Sequence, residues 1–352
     1  LTGNKNYVMK PSFGKLPRGK RQERIEQSPN YRAGSFRNLA PTSMLVKGAS
    51  YFTIMREFIK DKPGRYPETP IPVVKTDLHK LSSGQPALIW FGHSSYLLVL
   101  EGKRILVDPV FSDRPSPVQF IGTKSFAGRV YSPNDFPDID LLLLTHDHYD
   151  HLDYWSIVQL KSRVKKIFAP LGVGAHLEYW GVNPAIISEF DWWEGAEALD
   201  DIHITATPAR HFSGRGFIRN KTLWTSYVLQ TRNHKIFVGG DSGYDTVFAT
   251  IGEKFGPFDL ALLECGQYDK NWPQIHMMPE ETVQAGIDLQ ARVMMPVHWG
   301  KFVLSNHAWR DPIDRAWQKA ASLNVNLTTP RIGEPVVLTE SMPKSRWWQS
   351  VR

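Results

Sequence analysis

The chain has 352 residues, of which 41% are hydrophobic and 22% are charged, and it carries a formal net charge of +7. This composition is typical of a globular protein and excludes a disordered, collagen-like or coiled-coil chain. The longest apolar runs, Ala87–Phe91 and Tyr96–Leu100, are far shorter than the roughly 20 residues of a membrane-spanning helix. The single cysteine, Cys265, excludes an internal disulfide and a thiolate zinc site, so any metal ion must be held by histidines and carboxylates.

The net positive charge lies entirely in the N-terminal segment. Residues 1–38 contain nine Lys or Arg and two Glu, so residues 39–352 are balanced. Such a segment fits an anionic membrane surface, where each cation contributes about 1 kcal/mol, and it fits a solvated leader equally well. No RNA-binding, helix-turn-helix or zinc-finger pattern accompanies it, so no nucleic acid is expected as a partner. We interpret 1–38 as a basic leader and 39–352 as a single domain.

From residue 86 onward, short β-rich runs alternate with helical stretches. The predicted strands are Ala87–Phe91, Ser95–Leu100, Arg104–Val107, Ile139–Leu144, Lys166–Phe168, His203–Thr207, Trp224–Leu229, Lys235–Val238, Asp259–Glu264 and Arg292–Val297. The predicted helices are Asp153–Leu160, Val173–Tyr179, Thr246–Lys254 and Pro279–Leu289. Because no internal repeat or low-complexity linker interrupts this pattern, it predicts one α/β (α+β) domain with two sheets covered by helices.

The clearest chemical motif follows the predicted strand that ends in four leucines. His146, His148, Asp150 and His151 lie within six residues, a pattern expected by chance in on the order of one such chain in a thousand. His146 and His148 point the same way on an extended strand end and can hold one ion together. Asp150 and His151 follow in the turn and can reach a second ion. A helix cap would explain the acidic residues but not three imidazoles.

Two neighbouring cations need more ligands than this turn supplies. His211, Asp241 and His298 each stand shortly after a later predicted strand, and Gly239-Gly240 lets the backbone before Asp241 come close to an ion. Each of the three alone is more often a core or surface residue. Together with the first cluster they predict one shared metal site.

The order of these residues resembles the ligand series of the metallo-β-lactamase superfamily. Further motifs narrow the resemblance, over about residues 38–335, to the N-acylphosphatidylethanolamine-hydrolysing phospholipase D branch. These motifs are Asp108-Pro109-Val110-Phe111, Asp191-Trp192-Trp193, Asp241-Ser242-Gly243-Tyr244, Phe255-Gly256-Pro257-Phe258-Asp259-Leu260, His276 before Pro279-Glu280-Glu281, and His298-Trp299-Gly300. The resemblance implies an αββα sandwich of two mixed sheets with a dinuclear zinc site at one edge.

The resemblance also implies a role for each residue. One zinc would be held by His146, His148 and His211, the second by Asp150, His151 and His298, and Asp241 would bridge the two. Imidazole and carboxylate ligands suit Zn²⁺, and a hydroxide shared by two Zn²⁺ ions is available at neutral pH. The di-iron relatives of the fold have Glu at the place of His148 and carry a flavin module that this chain is too short to contain.

The same resemblance implies three catalytic residues, Asp150, Asp241 and His276. His276 matches an additional active-site histidine of the branch and would be a general acid or a phosphate hydrogen-bond donor. On spacing alone, a loop histidine that faces water is the alternative for His276.

The function implied is that of a phospholipase D-type phosphodiesterase, with two Zn²⁺ as cofactors, that acts on N-acylphosphatidylethanolamine-like membrane phospholipids. Two alternatives stay open: a lactonase or esterase of the same fold, and a lipid- or metal-binding protein with weak turnover. The expected partners are the phospholipid substrate, a membrane contacted peripherally and, as an option, a second copy in a homodimer. Leu1 in place of Met predicts that a processed or deleted segment precedes it, and the sequence fixes neither whether that segment was a signal or an anchor nor the membrane face.

Apolar residues close to the ligands in sequence are candidates for an acyl-chain groove, although most aromatic residues at such positions belong to a core. These candidates are Met277, Met278, Trp155, Trp192, Trp193, Trp299 and Phe302. Met44–Phe58 mixes apolar and basic residues, which is typical of an interfacial helix, and a packed helix explains it as well. The loop Ser213–Arg219 departs from the family's sequence, as does the basic leader, which leaves the lipid headgroup open.

Overall fold

The structure, a computed structural model, describes residues 11–60, 63–81 and 84–352. The strands are β1 (Tyr31–Arg32), β2 (Ser35–Phe36), β3 (Ala87–Trp90), β4 (Tyr96–Leu100), β5 (Lys103–Val107), β6 (Leu141–Leu143), β7 (Ile167–Pro170), β8 (Ile187–Phe190), β9 (Gly195–Leu199), β10 (Ile202–Thr207), β11 (Ser226–Gln230), β12 (Lys235–Val238), β13 (Leu260–Glu264), β14 (Met294–Val297) and β15 (Pro335–Val337). The α-helices are α1 (Lys20–Glu26), α2 (Tyr51–Ile59), α3 (Tyr154–Leu160), α4 (Gly174–Tyr179), α5 (Val247–Phe255), α6 (Pro279–Asp288) and α7 (Asp311–Ser322).

Two mixed sheets face each other across the main core. The first has the strand order β15-β3-β4-β5-β6-β7-β8, antiparallel from β15 to β5 and parallel from β5 to β8. The second has the order β14-β13-β12-β11-β10-β9, parallel from β14 to β12 and antiparallel from β12 to β9. A hairpin of β1 and β2 stands apart from both sheets.

Alternation along the strands explains the layers. In β4, Leu98 belongs to the core between the sheets, whereas its neighbour Leu97 packs on the outer face, where α3 contributes Ile157. In β12, Val238 points to the same central core, and Phe237 packs outward against Phe248 of α5. Both faces of both sheets are therefore apolar and covered, and the predicted αββα sandwich is confirmed.

The described part of the basic N-terminal segment packs against the body of the domain. Ile25 of α1 and Phe36 of β2 are fully buried in a cluster that includes Trp192 and Trp224. Arg21 forms ion pairs of 2.6–2.7 Å with Glu178 and Glu189. Residues 11–38 are thus packed together with the rest of the domain, although the basic charge of the chain ends near residue 38. Residues 1–10 lie outside the described residues.

The stretch Met44–Phe58 becomes helical only from Tyr51, where Ser50 caps α2 by accepting a hydrogen bond from the Phe52 backbone N–H. Phe52, Met55 and Ile59 share one face of α2 by their spacing, and their exposed fractions are 78%, 58% and 75%. The apolar face of α2 is therefore turned to the surface and not to a core.

The substitution Phe36→Ala tests the packing of the N-terminal segment. Because Phe36 is fully buried, we expect a loss of about 3–5 kcal/mol in the free energy of unfolding, measured by denaturant titration. Phe52→Ala is the matched control, and its free energy of unfolding should change by less than about 0.5 kcal/mol because the ring is exposed. An unchanged free energy of unfolding for Phe36→Ala would mean that this segment is a solvated leader and does not pack on the domain.

Candidate metal centre

The predicted ligands meet at one edge of the sandwich because each follows the carboxyl end of a strand. His146 and His148 come after β6, His211 after β10 and Asp241 after β12, while His298 directly follows β14. Close packing is needed for this approach: a Cβ on Gly240, which has φ +60°, would lie 3.0 Å from the Thr145 side chain. All seven predicted residues are brought together.

The first group of ligand atoms contains His146, His148, His211 and Asp241. Nδ1 of His148 lies 2.9 Å from Nε2 of His146 and 3.2 Å from Nε2 of His211. An oxygen of Asp241 lies 3.8 Å from each of the latter two nitrogens. These separations resemble those of atoms bound to one tetrahedral zinc, which lie about 3.3 Å from one another.

The second group contains Asp150, His151 and His298 together with His93, which the sequence analysis did not single out. His93 Nε2 lies 2.9 Å from Asp150 Oδ2, and its ring centre lies 4.0 Å from that of His298. Asp241 faces this group too, at 3.2 Å from His151 Nε2 and 3.2 Å from His298 Nδ1. One carboxylate therefore contacts both groups, as a bridging ligand would.

Two of these atoms, His151 Nε2 and Asp241 Oδ1, are buried without a hydrogen-bond partner. Because buried polar atoms are nearly always satisfied, unpartnered acceptors that converge on one place indicate a cation-binding site. The donor set is nitrogen and oxygen without sulfur, which suits zinc and other divalent transition metals.

Burial also sets the protonation of the imidazoles. It holds the pKa of His146, His211 and His298 well below the usual value, and it lowers the pKa of His148 to about 4. These rings are thus neutral at neutral pH, and the neutral imidazole is the form that binds metal ions. His151 is the exception: burial opposes its charge, but Asp241 and Asp150 raise its pKa well above normal.

A further set of contacts orients the ligands from behind. His151 Nδ1 lies 2.8 Å from Asp108 Oδ2, and Asp108 also accepts hydrogen bonds from the N–H and hydroxyl of Thr145. His211 Nδ1 donates to the Ile275 carbonyl at 2.8 Å. With one nitrogen fixed in this way, the other nitrogen of each ring is directed at the centre.

Three residues at the centre hold a left-handed backbone that favours glycine. The φ angles of His93, Asp108 and His298 are 54°, 40° and 66°. Such a conformation costs a non-glycine residue about 1–2 kcal/mol, and strained residues of this kind cluster at functional sites.

His276 lies beside the ligands and is held by Glu264, the last residue of β13. Its Nδ1 is 2.6 Å from Glu264 Oε2, and the ring stacks on His298 at 5.4 Å. Glu264 is fully buried and also accepts hydrogen bonds from the backbone N–H groups of Ser242 and Met277. Burial raises the pKa of Glu264 well above normal and lowers that of His276.

The N-terminal segment contacts the ligand loops directly. The Asn38 side chain both donates to the His211 carbonyl and accepts from the His211 N–H, at 2.8 and 3.1 Å. Arg215 lies buried beneath the first loop, where it donates to the carbonyls of Asp147 and Leu152 and to that of Ser12. These bonds tie two ligand loops to residues that precede the sheets.

Above the ligands lies a cleft of about 250 Å³. Its floor includes His148, Asp150, Asp241, His276 and His298. Its apolar wall is formed by Met44, Leu45, Phe212, Trp272, Ile275 and Leu304. None of the seven residues that were candidates for an acyl-chain groove lines this cleft, and four of them are buried, which agrees with the alternative that such residues belong to a core.

Those seven residues lie elsewhere. Trp299 and Phe302 follow His298 but are each 2% exposed and packed inward, and Met277 and Trp192 are buried too. Trp155 and Trp193 are 41% and 36% exposed but lie outside the cleft. The segment before α2 forms the wall instead: the Val46 N–H donates to the Asn271 carbonyl, which joins this segment to the loop after β13. Closeness in sequence to a ligand therefore did not predict which residues line the cleft, because Met44 and Leu45 are far from the ligands in sequence.

Two members of the site, His93 and Glu264, were not predicted from the sequence. His93 stands in a tight turn between β3 and β4, and a single histidine in a turn gives no pattern. Glu264 had a signal, since it is an acidic residue at the end of an apolar strand of five buried residues. Asp108 was quoted only as part of a motif.

With this geometry established, the comparisons with known proteins are informative. A model described as the beta-lactamase superfamily domain matches residues 103–299. The chain belongs to this superfamily. An uncharacterized protein of Mycobacterium tuberculosis is 41% identical over 92% of this chain and 88% of its own length.

Two further relatives refine the comparison. The N-acyl-phosphatidylethanolamine-hydrolyzing phospholipase D 1 of Caenorhabditis elegans is 33% identical over 64% of this chain and 67% of its own length, which confirms the resemblance to that branch. The structure of Igni18, a metallo hydrolase of Ignicoccus hospitalis, has a TM-score of 0.56 at 22% identity, covers 72% of this chain and 97% of its own, and shares the fold. The chain is a metal-dependent hydrolase of the metallo-β-lactamase fold.

Asp241→Asn tests the carboxylate that faces both groups. The change keeps the size of the side chain but removes its charge, so we expect most bound metal to be lost. Turnover should fall by more than about 100-fold, because about 100-fold is the upper cost of losing a residue that only orients a ligand. Metal content by mass spectrometry and the hydrolysis rate measure this. Asp245→Asn is the matched control, because Asp245 lies outside every ligand group. Full metal content in Asp241→Asn would refute the assignment.

Proposed function

We propose that the protein is a dinuclear zinc phosphodiesterase of phospholipase D type that acts on N-acylphosphatidylethanolamine-like membrane phospholipids. The residues proposed to hold the metal ions are His146, His148 and His211 for one ion, Asp150, His151 and His298 for the other, and Asp241 for both. One juxtaposition supports the proposal: the two ligand groups, joined by Asp241, form the floor of a cleft with an apolar wall.

When bound, the two ions supply an acidified water and Lewis-acid stabilisation of negative charge on a phosphoryl group. The protein's own residues account for the rest. Asp108 and the Ile275 carbonyl orient His151 and His211, and His93 orients the carboxylate of Asp150. A preorganised set of this kind does not have to rearrange as charge develops in the reaction.

His276 is the residue placed to move a proton. Its Nδ1 is engaged by Glu264, so its Nε2 is the nitrogen that faces the cleft. From there it gives a hydrogen bond or a proton to the leaving oxygen of the phosphodiester, as a general acid does. Glu264 touches no substrate and is a positioning residue.

The apolar wall gives the reason for a lipid substrate. Met44, Leu45 and Leu304 present aliphatic surface beside Trp272, directly above the polar floor. A small hydrophilic substrate would leave this surface in water, whereas an acyl chain covers it at a gain of about 25 cal/mol per Å². The C. elegans phospholipase D, a relative named for a lipid substrate, also supports this choice.

We also propose peripheral contact with an anionic membrane. The exposed apolar face of α2 follows the cleft-wall residues Met44 and Leu45 in the chain, and Phe217 and Ile218, 107% and 54% exposed, immediately precede Arg219 at the cleft. Residues 44–60 carry three cations and one anion, which suits anionic headgroups. Among the described residues, no helix has the length and apolarity needed to cross a membrane.

A parallel assay of three substrate classes tests the reaction. We expect kcat/KM for N-acylphosphatidylethanolamine in mixed micelles to exceed that for a lactone and a carboxylic ester by at least about 100-fold, which corresponds to about 2.7 kcal/mol of transition-state discrimination. Chelation should abolish the activity, and added Zn²⁺ should restore it. A higher kcat/KM for the lactone or the ester would show that the protein is a lactonase or an esterase and not a phosphodiesterase. Activity that persists after chelation would contradict the metal mechanism.

The membrane proposal is tested without deleting residues 1–38, because that deletion would remove buried side chains. The double variant Phe52→Ser, Met55→Ser should bind vesicles of phosphatidylcholine and phosphatidylglycerol more than about tenfold more weakly, since each large apolar side chain contributes about 1.5–3 kcal/mol when buried. Cosedimentation measures the binding, and hydrolysis of a water-soluble phosphodiester should be unchanged.

The control for this variant is Ile287→Ser, Leu323→Ser. Both side chains are 41% exposed, and they lie on or next to α6 and α7. The control should bind vesicles as the wild type does. Equal loss in the two double variants would mean that surface apolarity in general, and not α2, governs the binding.

A further inference from the structure

Arg219 is the only arginine or lysine among the described residues that line the cleft. It ends the loop Ser213–Arg219, which is one of the two parts of the chain that depart from the family's sequence. Its guanidinium carbon lies 5.1 Å from the centre of the Phe212 ring, and the Phe212 ring lies 4.4 Å from that of His148. One aromatic ring therefore separates this cation from the nearest proposed metal ligand.

Within the described residues, the guanidinium of Arg219 has no carboxylate partner. No carboxylate lies within ion-pair distance of it, and its one hydrogen bond runs from Nη1 to the Met44 sulfur at 3.5 Å. A thioether is a weak acceptor, and a guanidinium has five N–H donors arranged to match a carboxylate or a phosphate. The other arginine near this rim, Arg210, is engaged by Thr42, Tyr244 and Pro41.

The surroundings of Arg219 leave its N–H groups open to an anion. Phe212 lies against one side of the guanidinium, and the Met44 sulfur lies 3.5 Å from Nη1. The side chain is otherwise exposed, so its remaining N–H donors are available to a bound anion. Met44 also belongs to the apolar wall of the cleft.

We propose that Arg219 binds an anionic group of the substrate that is separate from the bond being hydrolysed, so that the cleft prefers amphiphiles carrying such a second anion. The inference rests on the proposed function, because it takes the ligand groups as the place of hydrolysis. A substrate bound in this way has its scissile phosphodiester on the polar floor, its second anion on Arg219 and its acyl chain on the apolar wall. Arg219 thus determines specificity and takes no part in the chemical step.

Two lipids that differ by one carboxylate provide the kinetic test. N-acylphosphatidylserine and N-acylphosphatidylethanolamine share their acyl chains and scissile bond, but only the first has a headgroup carboxylate. We expect Arg219→Gln to raise KM for the serine lipid about tenfold, the size of one charge-assisted hydrogen bond, with kcat within about twofold of wild type. KM of Arg219→Gln for the ethanolamine lipid should stay within about twofold of the wild-type value. KM of Arg219→Lys for the serine lipid should lie between the values of the wild type and of Arg219→Gln.

The matched control is Arg232→Gln. Arg232 lies in the turn between β11 and β12, away from the cleft, and its side chain is 75% exposed. It pairs with Asp201, which lies between β9 and β10. This variant removes the same charge from the protein without touching the cleft, so both KM values should match those of the wild type. An equal rise of KM in both variants would assign the effect to net charge and overturn the proposal.

Binding of phosphonate analogues of the same two lipids separates this inference from the proposed function. A carbon replaces the scissile oxygen, so calorimetry on the metal-loaded protein measures affinity without turnover. Selective weakening of the serine phosphonate by Arg219→Gln supports the inference even if no phosphodiester is hydrolysed. Hydrolysis with equal affinities of wild type and Arg219→Gln for both phosphonates overturns the inference and leaves the proposed function standing. Equal weakening of both phosphonates would make Arg219 a packing residue and also overturn it.

Discussion

The contacts of Asp241 are the constraint on which the rest of this structure depends. This carboxylate is 3% exposed and lies within 4 Å of imidazole nitrogens from four histidines, which follow three different strands. Burial raises its pKa to about 6, so its charge is stable only where cationic or donor groups surround it. Both sheets must end at the same edge, and close together, for such a cluster to exist.

The remaining architecture supplies the rigidity that this cluster requires. Central strands such as β4 and β12 are apolar on both faces and covered by helices, which fixes where each strand ends. The N-terminal segment adds a second restraint, since Asn38 binds the backbone of His211 and Ser12 accepts from Arg215 beneath the first ligand loop. The basic segment is in this respect part of the support of the site, whatever its charge contributes at a membrane.

The cleft is lined both by residues that match the family's ligand series and by residues outside that series. The floor consists of residues whose order along the chain matches the family's series. The apolar wall comes from the segment before α2, from Phe212 and from the loops after β13 and β14, and Arg219, the single arginine or lysine among the described lining residues, ends the loop Ser213–Arg219. The proposed ligands thus lie in the part of the cleft that matches the family, and Arg219 lies in a loop that departs from it.

The sequence by itself indicated two sheets covered by helices and the His146–His151 cluster, because alternation within strands and short spacing are local signals, and the family resemblance added the αββα sandwich and joined His211, Asp241 and His298 to that cluster. The sequence did not reveal β9 or α7, since β9 is Gly-Ala-Glu-Ala-Leu, and α7 is a largely polar helix in which two of the four buried residues are the small Ala316 and Ala320. Only the tertiary structure decided that His93 and Glu264 belong to the site and that Met44, not Trp299, lines the cleft. These contacts join segments distant in sequence, and their geometry depends on the packing of two sheets, which no local pattern encodes.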